Sequence, residues 1–377
     1  MYITTVELQD FRNYESLNLS FHPKVNLILG NNAQGKTNLI EAVYLSSLGK
    51  SFRTANDVEM IQFGKKFFRV KIQAEKKNED VCVEMAVSKE SKAVKLNGRK
   101  IRKISELLEN VYIVVFSPED LKIVKEEPEK RRKFIDRELC QIKPLYFNRL
   151  ARYKKILLQR NTMLKEQKPK LSLLEIWDQE LCEYGSRIII ERAEFIKKLD
   201  RISSEIHRNI TNGKEKLHVQ YEANVPFMKS MDEQQALFLE KIKGALEKDL
   251  SRRTTSVGPH RDDLKITING IDIRKYGSQG QQRTAALSLK LAEIMLIREE
   301  TEENCILLLD DVLSELDEER QNYLINSLSD IQLFITSAEL SEKVRASLPE
   351  GKTFYVTEGK IEEEKKCNTE SVIESLK

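Results

Sequence analysis

Cysteine is sparse and scattered in this 377-residue chain. The five cysteines, Cys82, Cys140, Cys182, Cys305 and Cys367, form no C-x-x-C pair. That argues against a disulfide framework and fits free thiols in a reducing cytoplasm. Histidine is scarcer, four in all and none grouped with cysteine, so a structural zinc site is not expected. No uninterrupted apolar run approaches the roughly 18 residues of a membrane span. The opening residues, MYITTVELQDF, lack a basic stretch followed by an apolar one, so no secretory signal is expected. Internal repeats and low-complexity segments are also missing. Charge, by contrast, is plentiful. At 33% charged residues the chain reads as soluble, and its length allows two or three domains.

The charge is unevenly placed. Residues 130–165 hold twelve Lys/Arg against two Asp/Glu, a block of +10. The whole chain totals +3, so the remainder carries −7. Such a block is either a polyanion-facing surface or a solvated helical face, and charge alone does not separate them.

Patterning divides the chain into three stretches. Residues 1–117 read as mixed α/β, with strands at 2–11, 17–21, 25–29, 67–74, 81–87 and 111–116 and a hairpin turn at Asn97-Gly98. Residues 118–250 turn mostly helical, broken near Pro144 and at 167–169. There Leu181, Tyr184, Ile188, Phe195, Leu199, Ile202, Ile206 and Ile210 recur with a period of about 3.6, Arg192 filling the one gap. This predicts a straight helix from near Ser172, about 60 Å long, in a short antiparallel lobe. A strand at 217–225 and a helix at 232–250 follow. Residues 251–377 return to alternation. They hold a strand pair around Asn269-Gly270, helices at 281–298 and 317–328, strands at 305–309 and 331–336, a hairpin at 354–360 and a charged end expected to fray.

Gly30-Asn31-Asn32-Ala33-Gln34-Gly35-Lys36-Thr37 fits G-x-x-x-x-G-K-[ST], the Walker A phosphate loop. It lies between an apolar strand and a helix, which aims backbone N–H groups and a helix N-terminus at a polyphosphate. Lys36 would neutralise β- and γ-phosphates, and the Thr37 hydroxyl would ligate Mg²⁺. Ile306-Leu307-Leu308-Leu309-Asp310-Asp311 is the complementary Walker B pattern. Asp310 would hold Mg²⁺ through water, and Asp311 would orient the attacking water. Because 274 positions separate Lys36 from Asp310, the helical stretch reads as an insertion into a nucleotide-binding head.

Ser278-Gln279-Gly280-Gln281-Gln282-Arg283 opens a helix and resembles the signature motif of ABC-type ATPases, with an ordinary N-cap as the plainer alternative. Ser314-Glu315-Leu316-Asp317 resembles their D-loop. Phe11-Arg12-Asn13-Tyr14, the Asn31-Asn32-Ala33-Gln34 filling of the Walker loop, Phe116-Ser117-Pro118-Glu119-Asp120-Leu121, Gly258-Pro259-His260-Arg261-Asp262-Asp263 and the run from Tyr276-Gly277 through Arg283 together resemble the RecF family from residue 1 to about 360. That family comprises bacterial DNA replication and repair proteins among the SMC-like ABC ATPases.

The resemblance implies an α/β fold, an ABC-ATPase-like head with a mixed sheet (1–117 and 251–377) plus an inserted, mostly helical second lobe (118–250). It implies ATP and Mg²⁺ as cofactors, with Thr37 and Asp310 toward the metal and Arg12 and Asn13 beside the nucleotide, unless these two are only a polar turn. Two nucleotides would be sandwiched in a head-to-tail homodimer, reached in trans by Ser278, Gln279, Gly280, Gln281 and Gln282. Ser314 and Asp317 would form the D-loop, and Asp310 and Asp311 would serve a weak, DNA-stimulated ATPase. A cytoplasmic role is implied on gapped, single-stranded or duplex DNA, with RecO and RecR assisting RecA loading and SOS induction. In that setting Arg131, Arg132, Arg149, Arg152 and Arg160 are expected at DNA phosphates, the last three within about 80° on one helix.

Some features depart from the wider superfamily. Asp311 stands where transporters have Glu, which argues for slow hydrolysis. No Q-loop glutamine follows Val115, and Thr336-Ser337 replaces a switch histidine. A transporter subunit is thereby disfavoured. A structural DNA clamp that binds ATP with negligible hydrolysis stays open. Residues 258–263 either position Arg261 at phosphate or form a turn in which His260 and Asp262 satisfy backbone groups.

Overall fold

Strand β1 (Tyr2–Phe11) buries Ile3, Val6, Leu8 and Phe11. A register shift between Ile3 and Thr5 changes the parity of its alternation, so Ile3 and Val6 are both buried. This computed structural model describes residues 1–363 apart from 78, 126 and 329. Cys367 and the charged end expected to fray lie outside the described residues. After β2 (Tyr14–Ser20), β3 (Val25–Leu29) and α1 (Lys36–Leu48) come β4 (Phe67–Glu75), β5 (Asp80–Ser88), β6 (Lys92–Leu96) and β7 (Arg99–Lys100). An antiparallel sheet runs β2-β1-β4-β5-β6-β7. The strict alternation of β4 and β5 gives it one buried and one wet face. Asn97 and Gly98 both take positive φ at the β6–β7 turn, as their sequence predicts.

Contacts divide the chain into two compact units. The first comprises Met1–Ile101, Val115–Ser117 and Cys305 onward; the second comprises Arg102–Val114 and Pro118–Asn304. In the second, β8 (Ile113–Phe116) begins, and then α2 (Pro128–Ile142) and α3 (Pro144–Leu164) each start on a proline whose missing N–H costs nothing there. The long helix α4 (Leu171–Ile210) follows the predicted period. Leu181, Ile188, Phe195, Leu199, Ile202, Ile206 and Ile210 are buried, and so is Arg192 in the gap.

Past α4 lie β9 (Leu217–Glu222), α5 (Met231–Gly244), α6 (Leu246–Arg252), β10 (Asp263–Ile268), β11 (Ile271–Asp272), α7 (Ile273–Tyr276) and α8 (Gln279–Thr301). Sheet β11-β10-β9 and helix α8 both belong with α4. The second unit therefore runs to Asn304, past the boundary expected at 250, and it contains the Ser278 helix.

The chain returns to the first unit with β12 (Ile306–Asp310), α9 (Glu318–Asn326), β13 (Leu333–Ser337), α10 (Glu342–Ser347), β14 (Gly351–Thr357) and β15 (Lys360–Glu363). The second large sheet has order β15-β14-β3-β13-β12-β8, with β14, β3, β13 and β12 parallel. Every residue of β3, β12 and β13 is buried, which explains why they are mostly apolar without alternation, the buried Asn26 being satisfied by the His22 backbone. Helix α1 packs against β12 and β13 on one side and β1 and β4 on the other, so ten of its thirteen residues are buried. No helix among the described residues is long and apolar enough to cross a membrane.

Candidate functional site

The Walker A loop leaves β3 and enters α1. Gly35 takes φ +121, and a Cβ there would meet the Asn13 amide at 2.6 Å, so only glycine fits. As the N-cap of α1, Gly35 offers no side-chain acceptor, and no acid occupies the first helical turn. The first-turn amides are thus left for an anion. Asn31, Asn32 and Ala33 are exposed. Lys36 folds back, donating to the carbonyls of Gly30 (2.8 Å) and Asn31 (3.1 Å).

The loop is clamped from two turns. Asn13 Nδ2 donates to the Gln34 carbonyl at 2.8 Å, and its Oδ1 accepts from Asn38. The β14–β15 turn donates from the Gly359 N–H to the Gln34 carbonyl and from the Glu358 N–H to the Gln34 side chain. Arg12 is anchored behind the loop. It grips Glu41 of α1 with two bonds of 2.8 and 2.9 Å and also donates to the Glu59 carbonyl. Of the two residues expected beside the nucleotide, only Asn13 bonds the loop itself.

Parallel pairing brings the second half of the motif alongside. Thr37 Oγ1 donates to Asp310 Oδ1 at 2.9 Å, and Thr336 Oγ1 of β13 donates to the same oxygen at 2.9 Å. Burial pushes the Asp310 carboxyl up, the two threonine bonds oppose this, and Asp311 adds to it. Asp311 adopts φ +51, its N–H held by Thr336. Ser314 donates to the Asp311 carbonyl at 2.8 Å. Asp317 caps α9 and pairs with Arg320. The sequence reading missed Arg53. It donates to Asn38 at 2.7 Å, lies 3.2 Å from Glu41, and acts electrostatically on Asp310. No motif or period marks it.

In the second unit, Ser278 caps α8 in a capping box. Its Oγ accepts from the Gln281 N–H at 3.2 Å, and Gln281 Oε1 accepts from the Ser278 N–H at 3.0 Å. Gln282 ties the helix start to the carbonyls of Ile273 and Gly277. Ser278, Gln279 and Gly280 are exposed.

The expected DNA arginines require correction. Arg160 is fully buried, with Asp178 at 2.6 Å, Asp249 at 2.7 Å and Thr255 at 2.9 Å. Arg131 is buried against Asp263 at 2.6 and 2.9 Å. Arg160 cannot reach phosphate without abandoning two buried carboxylates, nor Arg131 without abandoning the half-buried one of Asp263. Arg132 donates to the Asp262 carbonyl, Arg149 pairs with Glu191, and Arg152 pairs with Glu180. Arg131 and Arg160 are thus internal, whereas Arg132 and Arg149 are half-buried and Arg152 is exposed.

A different cationic feature lies in the first sheet. Across β1, β4, β5 and β6, Glu7, Lys71, Glu84 and Lys95 stand opposite one another in alternating sign. At the edge the rule breaks. Lys95 faces Lys100, with Arg99 beside it, all three exposed. Like charges directly opposed are unfavourable unless an anion bridges them.

Residues 258–263 form a scaffold. Gly258 takes φ +133, where a Cβ would lie 2.5 Å from the Tyr153 hydroxyl. Asp262 accepts from Arg192 (3.0 Å), the Asn224 N–H (2.8 Å) and the Tyr221 hydroxyl. Arg261 donates to the Thr255 carbonyl at 2.9 Å. His260 Nε2 faces that same carbonyl at 3.1 Å, so Nε2 carries the proton and Nδ1 accepts from Tyr153 at 2.6 Å.

Burial pushes His260 down to about 4, from 6.5. A depressed histidine stabilises the fold above pH 6.5, and that contribution is lost as pH falls through 4. Urea unfolding at pH 7 and 4.5 should show His260→Gln losing roughly 2 kcal/mol less than the parent chain over this interval. Equal losses would refute the buried neutral ring.

The model of the RecF/RecN/SMC N-terminal domain matches residues 2–354. The DNA replication and repair protein RecF of Agathobacter rectalis is 46% identical over 366 residues, covering 96% of this chain and 99% of its own. That of Clostridioides difficile is 47% identical over 345 residues, covering 91% and 93%. A solved structure of the recombination mediator protein RecF with ATP, in the RecFOR pathway, superposes with a TM-score of 0.89 at 38% identity, over 97% of this chain and 98% of that one. With such identity along nearly its full length, this chain belongs to the RecF family of DNA replication and repair proteins.

Proposed function

We propose that this chain is an ATP-dependent DNA-binding protein of recombinational repair and replication. ATP binding closes a head-to-tail dimer on DNA, and slow hydrolysis releases it. The observation that carries the reading is the Thr37 hydroxyl set 2.9 Å from Asp310 beside a phosphate loop whose helix has no cap of its own. These oxygens fit Mg²⁺, a hard cation that takes one or two protein ligands and completes its shell from phosphate and water. Mg²⁺ would supply positive charge to the β- and γ-phosphates. Lys36 would swing from the loop carbonyls to those phosphates, and Asp311 would orient water. The shorter carboxylate of Asp311 favours slow turnover.

Ser278 of a second copy would complete each site, using the N-terminus of α8. The opposed cations Lys95 and Lys100 suit a sequence-independent phosphate contact. By family, the partners would be RecO and RecR, with RecA loading at gaps in the cytoplasm.

Ser278→Arg should keep ATP binding but lose ATP-dependent dimers and ATP-dependent retention on gapped DNA. Sedimentation with ATP, paired with DNA anisotropy across a salt series, makes the test. Equal dimer fractions for the variant and the parent chain would sink the head-to-tail arrangement. DNA-stimulated phosphate release separates a hydrolysing switch from a clamp that only binds ATP.

A further inference from the structure

The signature end of α8 is held by residues outside the motif. Helix α4 ends at Ile210, and Asn212 and Gly213 reverse the chain with φ of +51 and +77. The reversal is closed by the Gly213 N–H on the Arg208 carbonyl. Lys216 is then pinned to the β10–β11 turn, exchanging bonds with Asn269 through its N–H and its carbonyl. Glu215, caught between these anchors, lies beside His207 of α4 and beside Gln281. Its Oε1 accepts from Gln281 Nε2 at 2.9 Å, and its Oε2 faces His207 Nε2 at 3.0 Å. His207 is fully buried, and its Nδ1 meets Ser288 of α8 at 3.1 Å.

We propose that Glu215, backed by His207, is a positioning residue that sets the Ser278 end of α8 for a phosphate held by a second copy. The proposal rests on the head-to-tail reading above. A carboxylate only accepts hydrogen bonds, so Glu215 takes the amide NH₂ of Gln281 and leaves Oε1 for the Ser278 N–H. Ser278 Oγ in turn accepts the Gln281 N–H. The hydroxyl hydrogen of Ser278 is thereby left for an anion. Without Glu215, the Gln281 amide is free to flip, and its NH₂ would then oppose the Ser278 N–H. The capping box would be lost where the trans contact forms.

The test compares full-length Glu215→Ala, Glu215→Gln, Gln281→Ala and the Glu215→Ala/Gln281→Ala double variant, with Ser278→Arg as control. Sedimentation with ATP reads the dimer constant, nucleotide titration reads the affinity of the separate chain, and urea unfolding reads the fold. Glu215→Ala and Gln281→Ala should each weaken ATP-dependent dimerisation about tenfold, and the double variant also about tenfold rather than a hundredfold. Chain affinity for ATP should stay within about twofold. Glu215→Gln, which keeps the acceptor for Gln281, should restore dimerisation. If Glu215→Ala dimerises like the parent chain while Ser278→Arg does not, the positioning role is overturned. If Ser278→Arg dimerises normally, the head-to-tail reading fails instead. Should Glu215→Ala not fold, Glu215→Asp, which draws the acceptor back by one methylene, takes its place. Normal dimerisation of that variant overturns the role, and a loss that Glu215→Gln does not share supports it.

Discussion

Lys36→Met should lower ATP affinity by about 100-fold or more and abolish ATP-dependent dimerisation. Lys36 is nearly buried, at 4% exposure, and among the described residues its ammonium donates to the loop carbonyls of Gly30 and Asn31. Bound phosphates would exchange those neutral acceptors for charged ones. A hydrogen bond to a charged group contributes about 1.5–3 kcal/mol, and direct charge neutralisation adds to it. About 2.8 kcal/mol corresponds to 100-fold. Methionine keeps the length and bulk of the stem, and the two carbonyls lie in a loop that water reaches, so the fold should persist. Titration with a fluorescent ATP analogue, beside a urea curve to verify folding, measures this directly. An affinity within threefold of the parent chain would remove Lys36 from the phosphate site and with it the nucleotide reading of the loop.

The phosphate loop was legible because its chemistry is local. Gly30, Ala33 and Gly35 take positive φ and Lys36 begins α1, so eight consecutive letters carry the strand–turn–helix geometry. The pairing of Thr37 with Asp310 was legible because motif grammar bridges their 273-residue separation. Arg160 and Arg131 were misread for the opposite reason. Their carboxylates, Asp249 and Asp263, lie 89 and 132 residues away with no motif joining them, so a buried ion pair and a surface patch look alike in sequence. The boundary at 250 followed a change of texture. The fold instead carries α8 back along α4 through the β9–β10 pairing, which propensity does not reveal. Arg192 was legible only as a gap in a stripe of apolar residues. The gap marks the polar centre of the second unit.

Arg192→Ala should cost about 3–5 kcal/mol, because it strands carboxylates that the fold has already removed from water. Arg192 reaches Asp136 at 2.7 Å, Asp262 at 3.0 Å, the Pro259 carbonyl at 2.7 Å and the Tyr146 hydroxyl at 3.0 Å. Asp262 is fully buried. Burial already pushes its carboxyl above the ordinary value, and Arg192 is the first of the groups that oppose this. Removing Arg192 should push it higher. A carboxyl raised in the folded state supplies stability below its unfolded value, near 3.8, and loses it as pH rises through the folded value. The deficit of Arg192→Ala should therefore be largest near pH 7.5 and shrink toward pH 5. Adding Asp262→Asn removes the stranded charge while keeping an acceptor for Tyr221 and the Asn224 N–H, so the double variant should recover part of the loss at pH 7.5 and little at pH 5. Urea unfolding of the parent, both single variants and the double variant at the two pH values provides the full cycle. A deficit under about 1 kcal/mol, or one independent of pH, would mean that water or relaxation already satisfies Asp262. Residues 258–263 would then owe their conformation to Tyr153, Asn224 and Gly258 rather than to the arginine at the centre of α4.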